Sequence, residues 1–330
     1  MLLQKVLTNR SLLNSIKSNC VKVRSSPLNL KTSIGFSTSA RLAVRGGRKT
    51  NASKFGSAAI STGQAVVAGS SVLGLGALCY YGLGMSKESS ALDKAVMWPK
   101  YVRQRIRDTY LYFGASLGLT AVSAYQIAQN PTLMRLASRS SIASMFVSMA
   151  LLYGSSILCR SIEYQPGFGA KQMTWILHTA LVGGLIAPLT LLGGPLMVRA
   201  AMYTAGIAGG ISTVAVCAPS EKFLNWGGPL AAGFGVVFLA SIGGMFLPPT
   251  GAAGMTLYSI SMYGGLALFG MLLLYNTQKT IKKAETHPLS YNSQYRQFDP
   301  INASMGMYMD VVNIFMRIAI MMAGGGGKRR

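Results

Sequence analysis

The residues best placed to do chemistry lie near the end of the chain, in the apolar stretch GMYMDVVNIFMRIAIMM (306–322). At about 100° per helical residue, Gly306, Asp310, Asn313 and Arg317 fall within an arc of about 60°, so one face of this predicted helix is polar. A carboxylate at the middle of a bilayer costs about 2.5–3.5 kcal/mol on insertion scales. Asp310 must therefore face water, bind a cation, pair with another helix or hold its proton.

Two interpretations of this polar face stay open. Asp310 and Arg317 are seven residues apart, about 10 Å along a helix, whereas helical ion pairs form between residues three or four apart. Arg317 is therefore a poor local partner for Asp310. In the functional interpretation, Asp310 is a cation or proton site; in the structural one, the face is a polar clamp that fixes the order of the helices.

A second polar cluster interrupts the stretch LLLYNTQKTIKKAE (272–285), where the four residues from Tyr275 to Gln278 form a collar followed by three lysines. Composition alone favours a simple interfacial end of a helix for this collar. Two other polar residues give weaker signals. His178 is a lone imidazole on an apolar helix and is predicted to be a satisfied hydrogen-bonding group, and Arg160 lies where an apolar run ends and can snorkel to the interface.

The composition requires that these residues be positioned within a membrane. Half of the residues are hydrophobic, only 12% are charged, and the mean hydropathy is +0.37. Soluble domains carry roughly 25% charged residues, and from Gln172 to Gln278 the charged residues of this chain are Arg199, Glu221 and Lys222. The pattern excludes a large soluble domain and predicts an all-α, polytopic membrane protein.

Apolar runs of about 19–26 residues, enough for a hydrocarbon core of about 30 Å, are separated by short links. Links as short as GGP (193–195) and PPTGA (248–252) predict antiparallel neighbouring helices. The first run is set apart by a charged stretch, so we expect a lone anchor helix attached to a seven-helix body. The predicted spans are 58–83, 109–128, 141–159, 172–192, 196–218, 226–247, 253–276 and 303–323.

The N-terminal segment has the composition of a mitochondrial presequence. Residues 1–87 carry twelve Lys or Arg, and Glu88 is the first acidic residue of the chain. Residues 1–45 are also rich in Ser and Leu and can form a short basic amphipathic helix, which is typical of a transit peptide. A nucleic-acid-binding arm is the alternative, but no folded basic domain follows it, and we expect no nucleic-acid partner.

Five segments follow from these patterns. They are a presequence (1–45), a basic linker (46–57), an N-terminal transmembrane anchor (58–85), a charged linker (86–108) and a seven-helix transmembrane domain (109–330). The four cysteines are scattered, which argues against a disulfide framework, a zinc site or an iron–sulfur site. No G-x-S-x-G motif or nucleophile–base pair is present, so we expect no enzyme activity and no resident cofactor.

Four strings carry a resemblance to a known family: APLTLLGGPLMVRAAMYTAGIAGGISTVAVCAPSEKFLNWGGPL, GMFLPPT, LYSISMYGGLALFGMLLLYNTQKTIKKAE and DPINASMGMYMDVVNIFMR. From about Ala91 to Arg330 the chain resembles the mitochondrial branch of the Bax-inhibitor (TMBIM) family. The resemblance implies the mitochondrial inner membrane and a pH-sensitive calcium leak or calcium/proton exchange. It also implies roles in cristae organisation and in restraining cytochrome c release in apoptosis, with cytochrome c and inner-membrane proteins as partners.

The resemblance also implies the residues of an ion path. The family pairs two aspartates, one in a YDTQ motif and one in the last helix; these positions are Asn276, in YNTQ, and Asp310. Two close carboxylates would titrate as a coupled pair, so with Asn276 the pH response is expected to depend on Asp310 alone. Calcium takes 6–8 oxygen ligands. Backbone carbonyls, Asn313 and water would have to complete a weak, transient calcium contact at Asp310, with Arg317 supporting the polar face. The alternative is a structural scaffold of the inner membrane without transport.

Overall fold

The computed structural model describes residues 98–138, 142–218, 223–247, 251–288 and 297–325. All of these residues belong to one compact unit, Thr50–Arg330. The predicted presequence, basic linker and N-terminal anchor lie outside the described residues. Within the described ranges the chain is helical apart from short links, as the composition predicted.

Nine α-helices make up the described part of the chain. Three other helical segments continue them: a 3₁₀ segment, Ala187–Leu192, follows α4, a 3₁₀ segment, Leu224–Trp226, precedes α6, and a π-helical segment, Ile260–Gly264, joins α7 to α8. The helices are α1 (Lys100–Gln129), α2 (Pro131–Ala137), α3 (Ile142–Ser161), α4 (Ala170–Ile186), α5 (Gly194–Cys217), α6 (Gly227–Phe246), α7 (Ala252–Ser259), α8 (Gly265–Thr286) and α9 (Pro300–Gly325).

Local sequence signals explain where several of these helices begin and end. Asn130 separates α1 from α2, and its side-chain oxygen accepts hydrogen bonds from the backbone N–H groups of Thr132 and Leu133 at 3.0 and 3.3 Å. An Asn cap followed by Pro131 is a favourable helix start. Before α5 the chain turns at Gly193, whose φ of +105° is a left-handed conformation that glycine adopts without a Cβ clash.

Four helical segments of the described ranges are long and apolar enough to cross a membrane: Ala170–Leu192, Leu224–Phe246, Ala252–Thr286 and Pro300–Ala323. The span predicted at 109–128 falls within α1, and those predicted at 141–159 and 196–218 match α3 and α5 to within one residue at one end. Large apolar side chains such as Phe146, Met202 and Leu239 are 59–69% exposed. An apolar surface of this kind suits lipid tails rather than water, and the chain is an integral membrane protein.

The last helix, α9, lies at the centre of the bundle and packs against α1, α5 and α8. One side of α9 contributes to a core with Phe269 and Leu273 of α8. The opposite side places Tyr308 and Val312 against Val182 of α4. Because α9 is covered on both sides, its polar residues lie inside the bundle instead of facing lipid.

The contact between α1 and α4 is close enough to require a glycine. A Cβ added to Gly183 would lie 2.7 Å from Ser123 Cβ and 2.8 Å from the Thr120 carbonyl oxygen. We expect Gly183→Ala to destabilise the protein by about 1–3 kcal/mol, because the two helices must separate to admit a methyl group. Thermal unfolding of the purified protein in detergent would measure the effect. Gly184→Ala is the matched control, since its Cβ would meet Ile127 at an ordinary 3.5 Å, and equal losses in both variants would contradict the prediction.

Candidate functional site

The structure brings Asp310 of α9 and Asn276 of α8 into direct contact. Asn276 Nδ2 donates a hydrogen bond of 2.7 Å to Asp310 Oδ2. Gly306, one turn before Asp310, leaves room for the amide, because a Cβ at this position would lie 3.1 Å from Asn276 Cγ. The two positions that the resemblance paired are therefore hydrogen-bonded neighbours.

The antiparallel register of α8 and α9 places these side chains opposite each other. Thr280 Oγ1 donates to the Ala303 carbonyl at 3.2 Å, and Thr277 Oγ1 lies 3.7 Å from Met307 Sδ. Lower residue numbers on α8 therefore pair with higher residue numbers on α9, and the next pair in this series is Asn276 with Asp310. The link of 13 residues between the two helices permits this antiparallel arrangement.

The carboxylate of Asp310 is enclosed by the bundle. Only 5% of Asp310 is exposed, and no Lys or Arg of the described residues forms an ion pair with it. A buried carboxyl group without a cationic partner is costly when charged. The hydrogen bond from Asn276 offsets part of that free-energy cost. Because the rest of the cost remains, a nearby cation would favour the charged form of Asp310.

Arg317 and Asn313 form a separate cluster, about two turns further along α9. Arg317 Nε donates to the Ser261 carbonyl at 3.1 Å, and its Nη1 donates to the Asn313 side-chain oxygen at 3.1 Å. The guanidinium carbon lies 4.5 Å from the centre of the Phe269 ring. Asn313 Nδ2 donates back to the Met309 carbonyl at 2.9 Å, so the side-chain oxygen of Asn313 faces Arg317 and not Asp310.

Little in the sequence indicated which residues hold Arg317. A Cβ at Gly265 would lie 2.2 Å from Arg317 Nε, so the guanidinium rests directly on the backbone of α8. Ser261, its carbonyl acceptor, lies in the π-helical segment, and π-helical turns occur frequently at functional sites. The pair Gly264–Gly265 was the visible signal for this close approach, but glycine is too common in membrane helices for the pair to identify a partner.

The Tyr275–Gln278 collar is more than a simple interfacial end, because half of it lies inside the bundle. Thr277 and Gln278 are fully buried, and α8 continues to Thr286. Gln278 Oε1 accepts a hydrogen bond from the Phe223 N–H at 3.0 Å, and Gln278 Nε2 donates to the Ala215 carbonyl at 3.3 Å. The collar thus joins α8 to its neighbours inside the bundle. Asn276 is the residue of the collar that contacts Asp310.

His178 and Arg160 lie apart from Asp310. His178 Nδ1 is hydrogen-bonded to Ser155 Oγ at 2.9 Å, while its Nε2 is buried and has no partner among the described residues. The prediction of a satisfied imidazole is therefore met at one nitrogen of two. Arg160 is exposed at the end of α3. The described residues contain no group of three His, Cys, Asp or Glu side chains able to hold a metal ion.

A family model for inhibitors of the apoptosis-promoting Bax1 matches residues 102–327. This range includes every helix described above except the first two residues of α1. The chain belongs to this Bax-inhibitor family. It is 54% identical over 268 residues to the rat (Rattus norvegicus) growth hormone-inducible transmembrane protein, covering 81% of this chain and 77% of the relative. The match confirms the family resemblance that the sequence carried.

More distant relatives come from plants. The chain is 25% identical over 226 residues to Bax inhibitor 1 of rice (Oryza sativa subsp. japonica), covering 67% of this chain and 80% of the relative. It is 26% identical over 168 residues to Bax inhibitor 1 of Arabidopsis thaliana, covering 50% and 61%. No significant match to a solved structure was found. This chain is thus a membrane protein of a family whose description names inhibition of the apoptosis-promoting Bax1.

Proposed function

We propose that this protein forms a pH-sensitive path for calcium across the mitochondrial inner membrane, as a calcium leak or a calcium/proton exchanger, with Asp310 as the group that gains and loses the proton. The observation that carries the proposal is the enclosed Asp310–Asn276 contact. A lone carboxyl group inside an apolar bundle can attract a cation when charged and release it when protonated.

The chemistry of the pair differs from that of two acids. An amide carries both donors and acceptors, so Asn276 can donate to a charged Asp310 and can accept a hydrogen bond from a protonated one. Two carboxylates, by contrast, repel each other once both are charged. We therefore infer that the contact persists in both protonation states and that the charge of Asp310 alone sets the pH response.

Calcium binding at this point would be transient. Asp310 and Asn276 supply few of the 6–8 oxygens that calcium takes, and the Asn313 oxygen accepts from Arg317 instead. Water and backbone carbonyls would supply the rest. A site with so few protein ligands and one negative charge releases its ion readily, which favours transport over storage.

Calcium flux into proteoliposomes tests the proposal directly. The purified full chain would be reconstituted in liposomes loaded with a calcium indicator, and the initial flux would be measured as the external pH is stepped. We expect flux above that of protein-free liposomes and a response to pH. A flux equal to that of protein-free liposomes at every pH would overturn the proposal.

Asn276→Asp is expected to steepen the pH dependence of flux. The new carboxylate would lie within hydrogen-bonding distance of Asp310, and the two groups would titrate as a coupled pair. A second negative charge would also strengthen calcium attraction at high pH. The same proteoliposome assay would show the effect as a larger ratio of flux between high and low pH. Asn276→Gln, which keeps an amide, is the control, and a ratio that changes equally in both variants would contradict the prediction.

Localisation to the mitochondrial inner membrane is supported by the acid-free, basic composition of residues 1–45. Fusion of these residues to a soluble reporter would test the import signal by itself. We expect the reporter to accumulate in the mitochondrial matrix and to be shortened near residues 35–40. A reporter that stays in the cytosol would remove this support.

A structural scaffold of the inner membrane is the second candidate function. It is favoured by the Arg317 cluster, whose hydrogen bonds tie α9 to the π-helical segment without a carboxylate. In this role the protein would organise cristae and hold partners such as cytochrome c. Because cytochrome c is itself basic, attraction to it would depend on apolar contact or on shared anionic lipid, not on this chain's net charge of +23. Absent flux combined with altered cristae on depletion would favour this alternative.

A further inference from the structure

Most charged residues of the described helices lie at one end of the bundle, because of the directions in which these helices run. Lys171, at the start of α4, donates to the Ile162 carbonyl just after α3 and to the Asp299 carboxylate just before α9. Arg105 of α1 donates to the carbonyls of Ala284 and His287, where α8 ends. The starts of α1, α4 and α9 and the ends of α3 and α8 therefore lie together, and we name this the basic end.

The two ends differ strongly in charge. The described residues place nine Lys or Arg at the basic end against four Asp or Glu, and only Arg135 and Arg199 near the helix termini of the opposite end. The nine cations are Lys100, Arg103, Arg105, Arg107, Arg160, Lys171, Lys279, Lys282 and Lys283, and the four acids are Asp108, Glu163, Glu285 and Asp299. Among the described residues, the basic end therefore has five more cations than acids.

Three of these cations form a patch, defined as Arg160, Lys279 and Lys283. All three are exposed, and none forms an ion pair within the described part of the chain. Lys283 lies within reach of the charges of Arg160, Lys279 and Lys171. Asp299 also lies near Lys283, but its ion pair is with Lys171, so the three cations of the patch have no ion-pair partner among the described residues.

The depth of the patch matches the lipid headgroups. The Lys279 ammonium lies 5.4 Å from the centre of the Tyr275 ring, and the Tyr275 hydroxyl lies beside Gly227 at the start of α6. Trp226, the residue before it, is 45% exposed. Trp and Tyr side chains such as the exposed Trp226 and the half-buried Tyr275 are enriched where a bilayer meets water, and long basic side chains next to them extend towards phosphates.

We propose that the patch of Arg160, Lys279 and Lys283 binds the phosphate-bearing headgroup of an anionic phospholipid. Juxtamembrane cations are attracted to anionic lipid surfaces in this way, each with an energy that corresponds to about a fivefold change in affinity. A lipid is favoured over a soluble anion because the patch borders a surface that the apolar helices already place in the bilayer.

Lipid binding can be measured without any transport activity. The full chain would be incorporated into nanodiscs of phosphatidylcholine containing increasing fractions of cardiolipin, and the retained cardiolipin would be quantified by native mass spectrometry. Arg160→Gln/Lys279→Gln is expected to weaken cardiolipin retention by about 25-fold at low salt. Arg135→Gln/Arg199→Gln, which removes two cations from the opposite end, is expected to leave retention within twofold of the wild type.

Further arms of the experiment separate lipid from other anions and from damage to the fold. Arg160→Lys/Lys279→Arg keeps both charges and should restore retention. Inorganic phosphate added at millimolar concentration should not displace the lipid. Equal losses in the two double glutamine variants, no loss in either, or displacement by inorganic phosphate would each overturn the proposal.

Discussion

Asp310→Asn is expected to remove the pH dependence of calcium flux and to lower the flux at high pH by at least about tenfold. The substitution keeps the size of the side chain and its ability to hydrogen-bond Asn276, but it deletes the one titrating group of the contact. A unit charge about 4 Å from a cation contributes about 4 kcal/mol at an effective dielectric constant of about 20, and about 1.4 kcal/mol is a tenfold change. The measurement is the initial calcium flux in proteoliposomes from pH 6 to pH 8.

The control for this result is Asp108→Asn, the same chemical change at a half-buried residue of α1 at the basic end. Its flux is expected to keep the pH profile of the wild type. Thermal unfolding in detergent should show that Asp310→Asn is at least as stable as the wild type, since it removes a buried charge without opening a cavity. If Asp310→Asn keeps the wild-type flux and pH profile while folded, Asp310 is not the gate, and another group must set the pH response.

The sequence predicted the helices far better than it predicted their partners. Apolar length and Gly/Pro breaks placed the spans at 172–192, 226–247, 253–276 and 303–323 within or close to helical segments of the structure. The periodicity of the last span also placed Asp310 on a polar face. Both signals are local, because they depend on the solvent that each residue meets along one helix.

Contacts between two helices depend on how the helices are aligned along each other, and the sequence of one helix does not determine that alignment. Spacing alone gave no reason to place Asn276 opposite Asp310; the family resemblance did. The collar of Tyr275 to Gln278 was interpreted as an interface because polar residues and lysines follow an apolar run. The structure buries Thr277 and Gln278 of that collar, because burial along a long helix depends on the neighbouring helices rather than on composition.

The polar face of α9 shows the same limit. Its periodicity grouped Asp310, Asn313 and Arg317, yet the structure divides them between two partners. Asp310 meets Asn276, whereas Arg317 and Asn313 meet each other beside the π-helical segment. A helical wheel of α9 contains no information about the helices that pack against it. Here the neighbour includes a π-helical turn, whose Ser261 carbonyl accepts a hydrogen bond from Arg317.

Charge sorting is a further property that appears only in three dimensions. Along the sequence, positive charge occurs both in the stretch 87–107 and in 279–296, which left the orientation undetermined by loop bias. The fold brings the described parts of both stretches to one end of the bundle. By the positive-inside tendency, the basic end would face the matrix if the inner-membrane localisation holds. Protease protection of a tag placed within 289–296 would test this orientation.

Asp299→Asn is expected to destabilise the protein by about 3–5 kcal/mol. Lys171 is only 1% exposed, and its ammonium is held by the Asp299 carboxylate and the Ile162 carbonyl. Removing one member of a buried ion pair leaves the other charge without compensation, which is the costly case. Asn is a helix cap as good as Asp, so the cap that Asp299 provides to the Asn302 N–H at 2.9 Å is retained. The loss therefore reports the charge alone.

A second substitution separates the ion pair from other effects of the change. Lys171→Met removes the buried ammonium, and combining it with Asp299→Asn should recover most of the lost stability, because the double variant has no unpaired charge. Denaturant titration of the purified protein in detergent micelles would give the free energies of unfolding. Asp299 and Lys171 are 128 residues apart, and neither showed any signal in the sequence. If the double variant is as unstable as Asp299→Asn, the pair is not what holds the starts of α4 and α9 together.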